Sequence, residues 1–482
     1  MTASRANPNR WWILVGACAG LFVLMLDSTV VVLALPAIHD GLGASLDALQ
    51  WVQNAYLLTL AAAVVTGGRL GDILGRRRIF LVGMSAFGLG SLISGAAPDE
   101  LVLIVGRVVQ GLGGAALISL SLALTTNAFS PEETPRALGI WAAVSAVALA
   151  IGPLVGGVLI EVASWRLIFL VNLPIVVAGI AILVTRGEES RDPRASSVDL
   201  AGVAVLAAGL TAVVFALVEA DDWGWASART IALLALGLTA LAGFWRLEHR
   251  VAAPLVEFSL FRNRPYLGAT AAAFAIVGAY WVVMYFQPQY LQDELGYSAI
   301  EAGAMILPVT APMAVFSPLS APLIARFGAR ATMTVGMLFG LAGLTLQALA
   351  EDAGAYVDLL PGFVCFGIAL ALVYAPMSTA AMAAMPREKS GIASGVLAMN
   401  RVLAGALLLA VAGSVFQGSL GNGPSAAASN FADAVGHALW PAIAVVAIAT
   451  VLTGRFVPGR AAAPPAPGAE PEHHQHHRRF HM

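Results

Sequence analysis

The chain has 482 residues, 59% hydrophobic and 11% charged, with a formal net charge of -2; soluble domains carry roughly a quarter charged residues. A mean hydropathy of +0.82 excludes a soluble enzyme or a nucleic-acid-binding domain and leaves a chain made of membrane-spanning helices of roughly 20 residues each. The two cysteines, Cys18 and Cys365, fall inside apolar runs, so no disulfide framework is expected.

In chain order, apolar runs place helices at 11–34, 49–70, 79–97, 101–124, 138–160 and 167–186. The polar start Met1–Arg10 leads into a run that outlasts any signal peptide and shows no convincing cleavage site, so it is read as the first span. A polar stretch, 187–199, precedes a pair of spans at 200–220 and 229–247. Six more follow at 266–289, 301–323, 331–350, 358–383, 391–416 and 436–456. The expected division is a six-helix half (11–186), a loop with an inserted helix pair (187–265), a second six-helix half (266–456) and a disordered tail (457–482). The histidines of that tail, His473, His474, His476 and His477, read as solvated, and neither a metal nor a cofactor is expected.

Basic residues fix the orientation, because they are held on the cytoplasmic side of span ends. Alternating the fourteen spans puts Arg76, Arg77 and Arg78, and nearly every other arginine outside the spans, on one side; only Arg166 and Arg229 fall opposite. Both termini are therefore expected inside, and the loop with Asp221 and Asp222 outside. An inserted or omitted span would invert the whole distribution.

Four motifs carry chemistry. Between spans two and three stand Gly68, Leu70, Gly71, Asp72, Gly75, Arg76 and Arg77, and Ala325–Arg330 repeats their small and basic character in the second half. In span one, Asp27 lies in Leu26-Asp27-Ser28-Thr29-Val30-Val31; a charged carboxylate at such depth costs about 2.5–3.5 kcal/mol to insert, so it must pair, face a cavity or hold a proton. Span four carries Arg107, Gln110 and Gly111. An arginine does not give up its proton, so its role would be to tune a carboxylate or hold a carbonyl. Span five reads Ala148-Leu149-Ala150-Ile151-Gly152-Pro153-Leu154-Val155-Gly156-Gly157, where the glycines admit close helix approach and Pro153 kinks the backbone.

These runs resemble the major facilitator superfamily, and six plus two plus six spans resembles its fourteen-helix drug:proton antiporters. The first run is similar to that superfamily's Gly-x-Leu-(Ala/Gly)-Asp-Arg-x-Gly-Arg-Arg loop, with Ile73 where the family has Arg. The second is similar to Leu-Asp-x-Thr-Val-Val-Asn, with Val32 for Asn. The span-five run is similar to the antiporter signature Gly-x-x-x-Gly-Pro-x-x-Gly-Gly, with Ala148 for the first Gly. The resemblance implies an all-α polytopic fold and proton-coupled export of hydrophobic small molecules. Its partners would be a small-molecule substrate, protons and the lipid bilayer, with the protein acting as a monomer. Asp27 and Arg107 would be the coupling residues.

For the substrate wall, Tyr280, Met284 and Gln287 share one face of span nine. Tyr56, Phe316, Tyr374, Met377, Asn400 and Arg401 would extend it; aromatic and thioether groups suit a bulky apolar ligand. Span thirteen, which holds Arg401, lacks acidic residues, which argues against dicationic substrates. Import of a nutrient and a non-transporting scaffold remain as alternatives. An ATP-driven pump fails because the single lysine, Lys389, follows Glu388 where a phosphate-binding loop has Gly. A membrane hydrolase fails because neither His-Glu-x-x-His nor Gly-x-Ser-x-Gly occurs.

Overall fold

The computed structural model describes residues 8–130, 132–191, 199–251, 254–350, 354–386, 389–420 and 431–459. The histidine-bearing tail from Arg460 onward, Arg194 and Arg387 lie outside these, as does the side chain of Asp221. Among the described residues the secondary structure is entirely helical.

The first six spans are α1 (Arg10–Leu33), α2 (Leu46–Leu74), α3 (Arg76–Gly95), α4 (Glu100–Ala128), α5 (Thr134–Val162) and α6 (Leu167–Arg186). The inserted pair is α7 (Leu200–Val218) and α8 (Ala228–Glu248), and α9 is Arg264–Gln289. One unbroken assignment then covers Leu307–Ala350, 44 residues. At 1.5 Å per residue that is about 66 Å, twice the roughly 30 Å of a bilayer core. Gly328, at φ 85°, breaks it, so 307–327 is α10 and 329–350 is α11. The last three are α12 (Tyr356–Ala383), α13 (Ser390–Leu420) and α14 (Phe431–Phe456). Among the described residues thirteen helices are long and apolar enough to cross a membrane, and separating α10 at Gly328 brings the count to fourteen.

Side-chain caps start several of these helices. Ser45 accepts from the Ala48 amide at 3.1 Å and Asp99 from the Val102 amide at 2.9 Å, each meeting a donor that a helix start leaves unpaired. The chain leaves α1 at Ala34, runs through the short helix Leu35–Leu42 opened by Pro36, and ends it at left-handed Gly43.

Spans α1–α6 pack together as one bundle and α9–α14 as another. The repeat read in the two short loops extends to hydrogen bonds. Gly75 (φ 118°) and Gly328 (φ 85°) turn the chain at equivalent places. Two residues beyond each, the Nε of Arg77 donates to the Leu183 carbonyl at 2.7 Å and that of Arg330 to the Val457 carbonyl at 2.6 Å. Each arginine thereby satisfies a carbonyl at the end of its bundle's last helix, where a positive charge is favoured. Asp72 turns to Arg76 within its own loop, at 2.7 Å.

The bundles meet along α2–α13 and α5–α10, and α7 packs against both α2 and α13. The inserted pair therefore stands on a seam between the bundles. At the end of the molecule opposite Arg76–Arg78, three hydrogen bonds join them: Gln292 to the Leu33 carbonyl (3.2 Å), the Ile300 amide to Glu161 (3.4 Å), and Gln417 to Asp47. Glycines set this closeness. A Cβ on Gly157 would stand 2.4 Å from the Ala299 carbonyl oxygen, and one on Gly303 2.5 Å from that of Pro153. About four to five turns earlier on the same face of α5, Ala143 and Gly139 are exposed, and a Cβ on Gly139 would meet nothing within 4 Å. So α5 touches the second bundle at the opposite end and leaves it toward the arginine end.

Candidate functional site

Asp27 and Arg107, 80 residues apart, form an ion pair with both side chains fully buried, at 2.5 Å between Oδ2 and Nη1. Helix packing brings them together: α1 lies against α4, and Gly114 on α4 leaves no room for a Cβ beside Leu24, which would come within 2.7 Å. The other carboxylate oxygen of Asp27 accepts from Gln110 Nε2 at 2.9 Å and Asn172 Nδ2 at 3.2 Å. Arg107 also donates to Gln110 Oε1 at 2.7 Å and to the Val52 carbonyl at 3.1 Å. Ser91 accepts from both amides, at 2.9 and 3.4 Å. One guanidinium nitrogen of Arg107, Nη2, is buried without a partner, a costly state for a donor removed from water.

Beside this network lies a cavity of about 80 Å³ shared by both bundles. From α1 and α2 come Ser28 and Tyr56; from α9, α12 and α13 come Tyr280, Trp281, Tyr374 and Arg401. Drug-sized ligands occupy roughly 300–1,000 Å³, so loading the site requires the bundles to part further. Arg401 sits with its guanidinium carbon 5.6 Å from the Tyr374 ring centre. The hydroxyl of Tyr280 is buried without a partner.

The remaining residues singled out in the sequence fall elsewhere. Met284, Gln287 and Met377 are wholly buried inside the second bundle and do not line this cavity. Phe316 is 40% exposed, one turn beyond the cavity residue Met313 toward the arginine end. Asn400 donates to the Thr270 carbonyl at 2.9 Å, tying α13 to α9. The motif glycines mark close helix approaches. Gly71 lies against Leu120 and Gly68 against Ser119; Gly111 faces the Tyr56 carbonyl; Gly152 and Gly156 pack on Thr29 and Val30 of α1. Gly75 forms the turn before Arg76. Sequence reading left Asn172 without a chemical role and did not single out Ser91. Their only advance signal is polarity at intramembrane depth.

At the opposite end, Glu219 caps α7 near Asp222. Burial and that neighbouring charge push its carboxyl above the usual range, against a hydrogen bond from Trp51.

With this geometry in hand, comparison with known proteins is decisive: the Major Facilitator Superfamily model matches residues 17–409. The chain belongs to that superfamily. Among its relatives, the Multidrug resistance protein Stp of Mycobacterium tuberculosis (strain CDC 1551 / Oshkosh) is 36% identical over 410 residues, covering 85% of this chain and 76% of Stp. The Tetracenomycin C resistance and export protein of Streptomyces glaucescens is 35% identical over 429 residues, covering 87% and 78%. The crystal structure of a D-xylose–proton symporter superposes with a TM-score of 0.67 at 15% identity, covering 93% of this chain and 98% of that one; at that identity the likeness is one of fold. This major facilitator protein is thus a multi-pass membrane protein whose relatives are named for drug resistance and export.

Proposed function

We propose that this chain is a proton-driven antiporter exporting hydrophobic small molecules, antibiotics among them, across the cell membrane. The observation that carries the reading is the fully buried Asp27–Arg107 pair, separated from an aromatic cavity between the bundles by the ring of Tyr56. Burying a charge pair costs several kcal/mol per ion in desolvation, and an apolar contact would hold α1 to α4 more cheaply. A coupling role accounts for its presence.

A proton arriving on Asp27 neutralises the carboxylate and leaves Arg107 Nη1 with only Gln110 Oε1 as a strong acceptor, while its neighbour Nη2 already lacks a partner. The guanidinium then seeks other acceptors, and Tyr56 beneath it moves with it. Because protonated and ionised forms favour different arrangements of the bundle, the proton shifts the balance between access states. The surfaces that rock are those at Pro153, Gly157 and Gly303, which meet at one end, while α5 stands open at Gly139 toward the other.

The arginine end faces the cytoplasm, with both termini. Residues 11–186 and 266–456 act as the two moving halves, 187–265 as an insertion on their seam, and a single chain is the transporting unit. The names of the relatives favour export over import. Proteoliposomes with an imposed pH gradient, tested against a panel of antibiotics and lipophilic dyes, provide the test. Substrate accumulating against its gradient in exchange for protons is expected; accumulation independent of the pH gradient would sink the coupling.

A further inference from the structure

We infer that the cavity selects anionic aromatic molecules, and that Arg401 and the Tyr280 hydroxyl are the groups that bind the acid. The inference rests on the export reading for its biological meaning, but the binding chemistry stands on the cavity itself.

Among the described residues Arg401 is the sole charged side chain in the cavity wall. Among the described residues it joins none of the ion pairs, which take up Arg10, Arg76, Arg107 and Lys389. Its contact is the face of Tyr374, 5.6 Å from the guanidinium carbon, which positions a cation and leaves its N–H groups unspent. The acid nearest in kind, Asp27, is already engaged by Arg107, Gln110 and Asn172.

Tyr280 supplies the second, independent observation: its side chain is 9% exposed and its hydroxyl has no partner. A buried hydroxyl without a partner calls for a ligand oxygen or a water. Apart from the hydroxyls of Ser28, Tyr56 and Tyr374, the rest of the wall is apolar, with Leu24, Leu57, Leu60, Leu149 and Trp281 among it, and the Ser28 hydroxyl is spent on the Leu24 carbonyl at 2.6 Å. One planar cationic fork, the unpartnered hydroxyl of Tyr280 and mostly apolar walls fit a flat hydrophobic skeleton bearing a single carboxylate or an ionised phenol. With one proton entering for each anion leaving, both movements carry positive charge inward, so export of such a molecule would draw on the membrane potential twice over.

Equilibrium dialysis of the purified full-length protein against three probes of one skeleton tests this: anthracene-9-carboxylate, 9-anthracenemethanol and 9-anthracenemethylammonium. The wild type is expected to bind the carboxylate about tenfold or more tightly than the alcohol, as a charge-assisted fork contact implies, and the ammonium weakest. Arg401→Gln should erase the carboxylate preference while alcohol binding, the measure of an intact cavity, persists. Arg401→Lys should keep part of the preference, Arg401→Glu should transfer it to the ammonium, and Tyr280→Phe should weaken carboxylate binding severalfold. A wild type that prefers the ammonium, or an Arg401→Gln protein that still prefers the carboxylate, overturns the inference alone. No binding of any probe overturns the inference alone, because the export reading is tested by transport. Anion binding without proton-linked transport leaves the site standing and removes the export reading.

Discussion

The ring of Tyr56 lies 4.2 Å from the guanidinium carbon of Arg107 on one side and forms part of the cavity wall on the other. It stands between the guanidinium of that buried ion pair and the space between the bundles. Replacing it should open the pair to that space. In proteoliposomes, Tyr56→Ala is expected to raise substrate-independent proton leak and to lower the substrate moved per proton, while Tyr56→Phe, which keeps the ring, stays near wild type. An unchanged leak in Tyr56→Ala would show that the ring is no barrier.

Substitutions at the pair itself should separate coupling from stability. Asp27→Asn keeps hydrogen-bond partners for Gln110 and Asn172 but carries no titrating proton, so substrate binding should survive while the response to a pH gradient disappears. Asp27→Glu should retain part of it. Arg107→Ala leaves Asp27 buried and uncompensated, which costs about 3–5 kcal/mol; a clear fall in Tm is expected. Arg107→Lys should transport poorly because a point charge cannot hold Asp27, Gln110 and the Val52 carbonyl together. Persisting pH-driven accumulation in Asp27→Asn would move the coupling role to another acid, with Glu219 next in line.

Two glycines on α5 should fail differently. A side chain at Gly157 meets the Ala299 backbone of the other bundle, whereas one at Gly152 meets Thr29 within its own bundle, 1.8 Å from the hydroxyl oxygen. Gly157→Val should therefore fold and reach the membrane yet not transport, because the bundles cannot close at that end. Gly152→Val should lower Tm and yield. Transport by Gly157→Val at the wild-type rate would show that this contact is not needed in the cycle.

Orientation is tested with single cysteines in a Cys18→Ala, Cys365→Ala background. An impermeant maleimide added to intact cells should label Asp222→Cys and spare Arg191→Cys. The opposite pattern would reverse the topology.

A small pH effect is expected at the arginine end. Lys389 pairs with Glu257, and this hydrogen bond, more than the coulombic attraction, holds the Glu257 carboxyl below its usual range. A depressed folded-state pKa contributes stability above the unfolded value of about 4.3 and loses it as pH falls through the folded value. The pair is partly exposed, so Lys389→Gln should cost under about 1 kcal/mol at pH 7, with the difference from wild type shrinking in thermal melts as pH falls below about 4.3. A constant difference across that range would assign the effect to packing.

Hydropathy alone determined the fourteen spans and the polar interruptions between them, because a bilayer penalises every exposed backbone and charged group at depth, whatever the neighbouring helices do. The motif runs likewise marked Asp27 and Arg107, since polarity inside a span is rare enough to be read without a structure. Even the second-half loop was legible: Gly328 turns the chain where Ala325–Arg330 repeats the first loop, although α10 and α11 otherwise run together as one helix. What only the tertiary structure decided was which faces meet. Lipid and helix interior are equally apolar, so a buried face and a lipid-facing one carry the same residues and no 3.6-residue polarity separates them. On that account Met284, Gln287 and Met377 could not be told from Tyr280 and Tyr374 in advance, and the seat of the inserted pair on the α2–α13 seam had no sequence mark. The reach of Asn172 to Asp27, and of Ser91 to the amides of Asn172 and Gln110, likewise arises from the crossing of helices far apart in the chain, which composition does not encode.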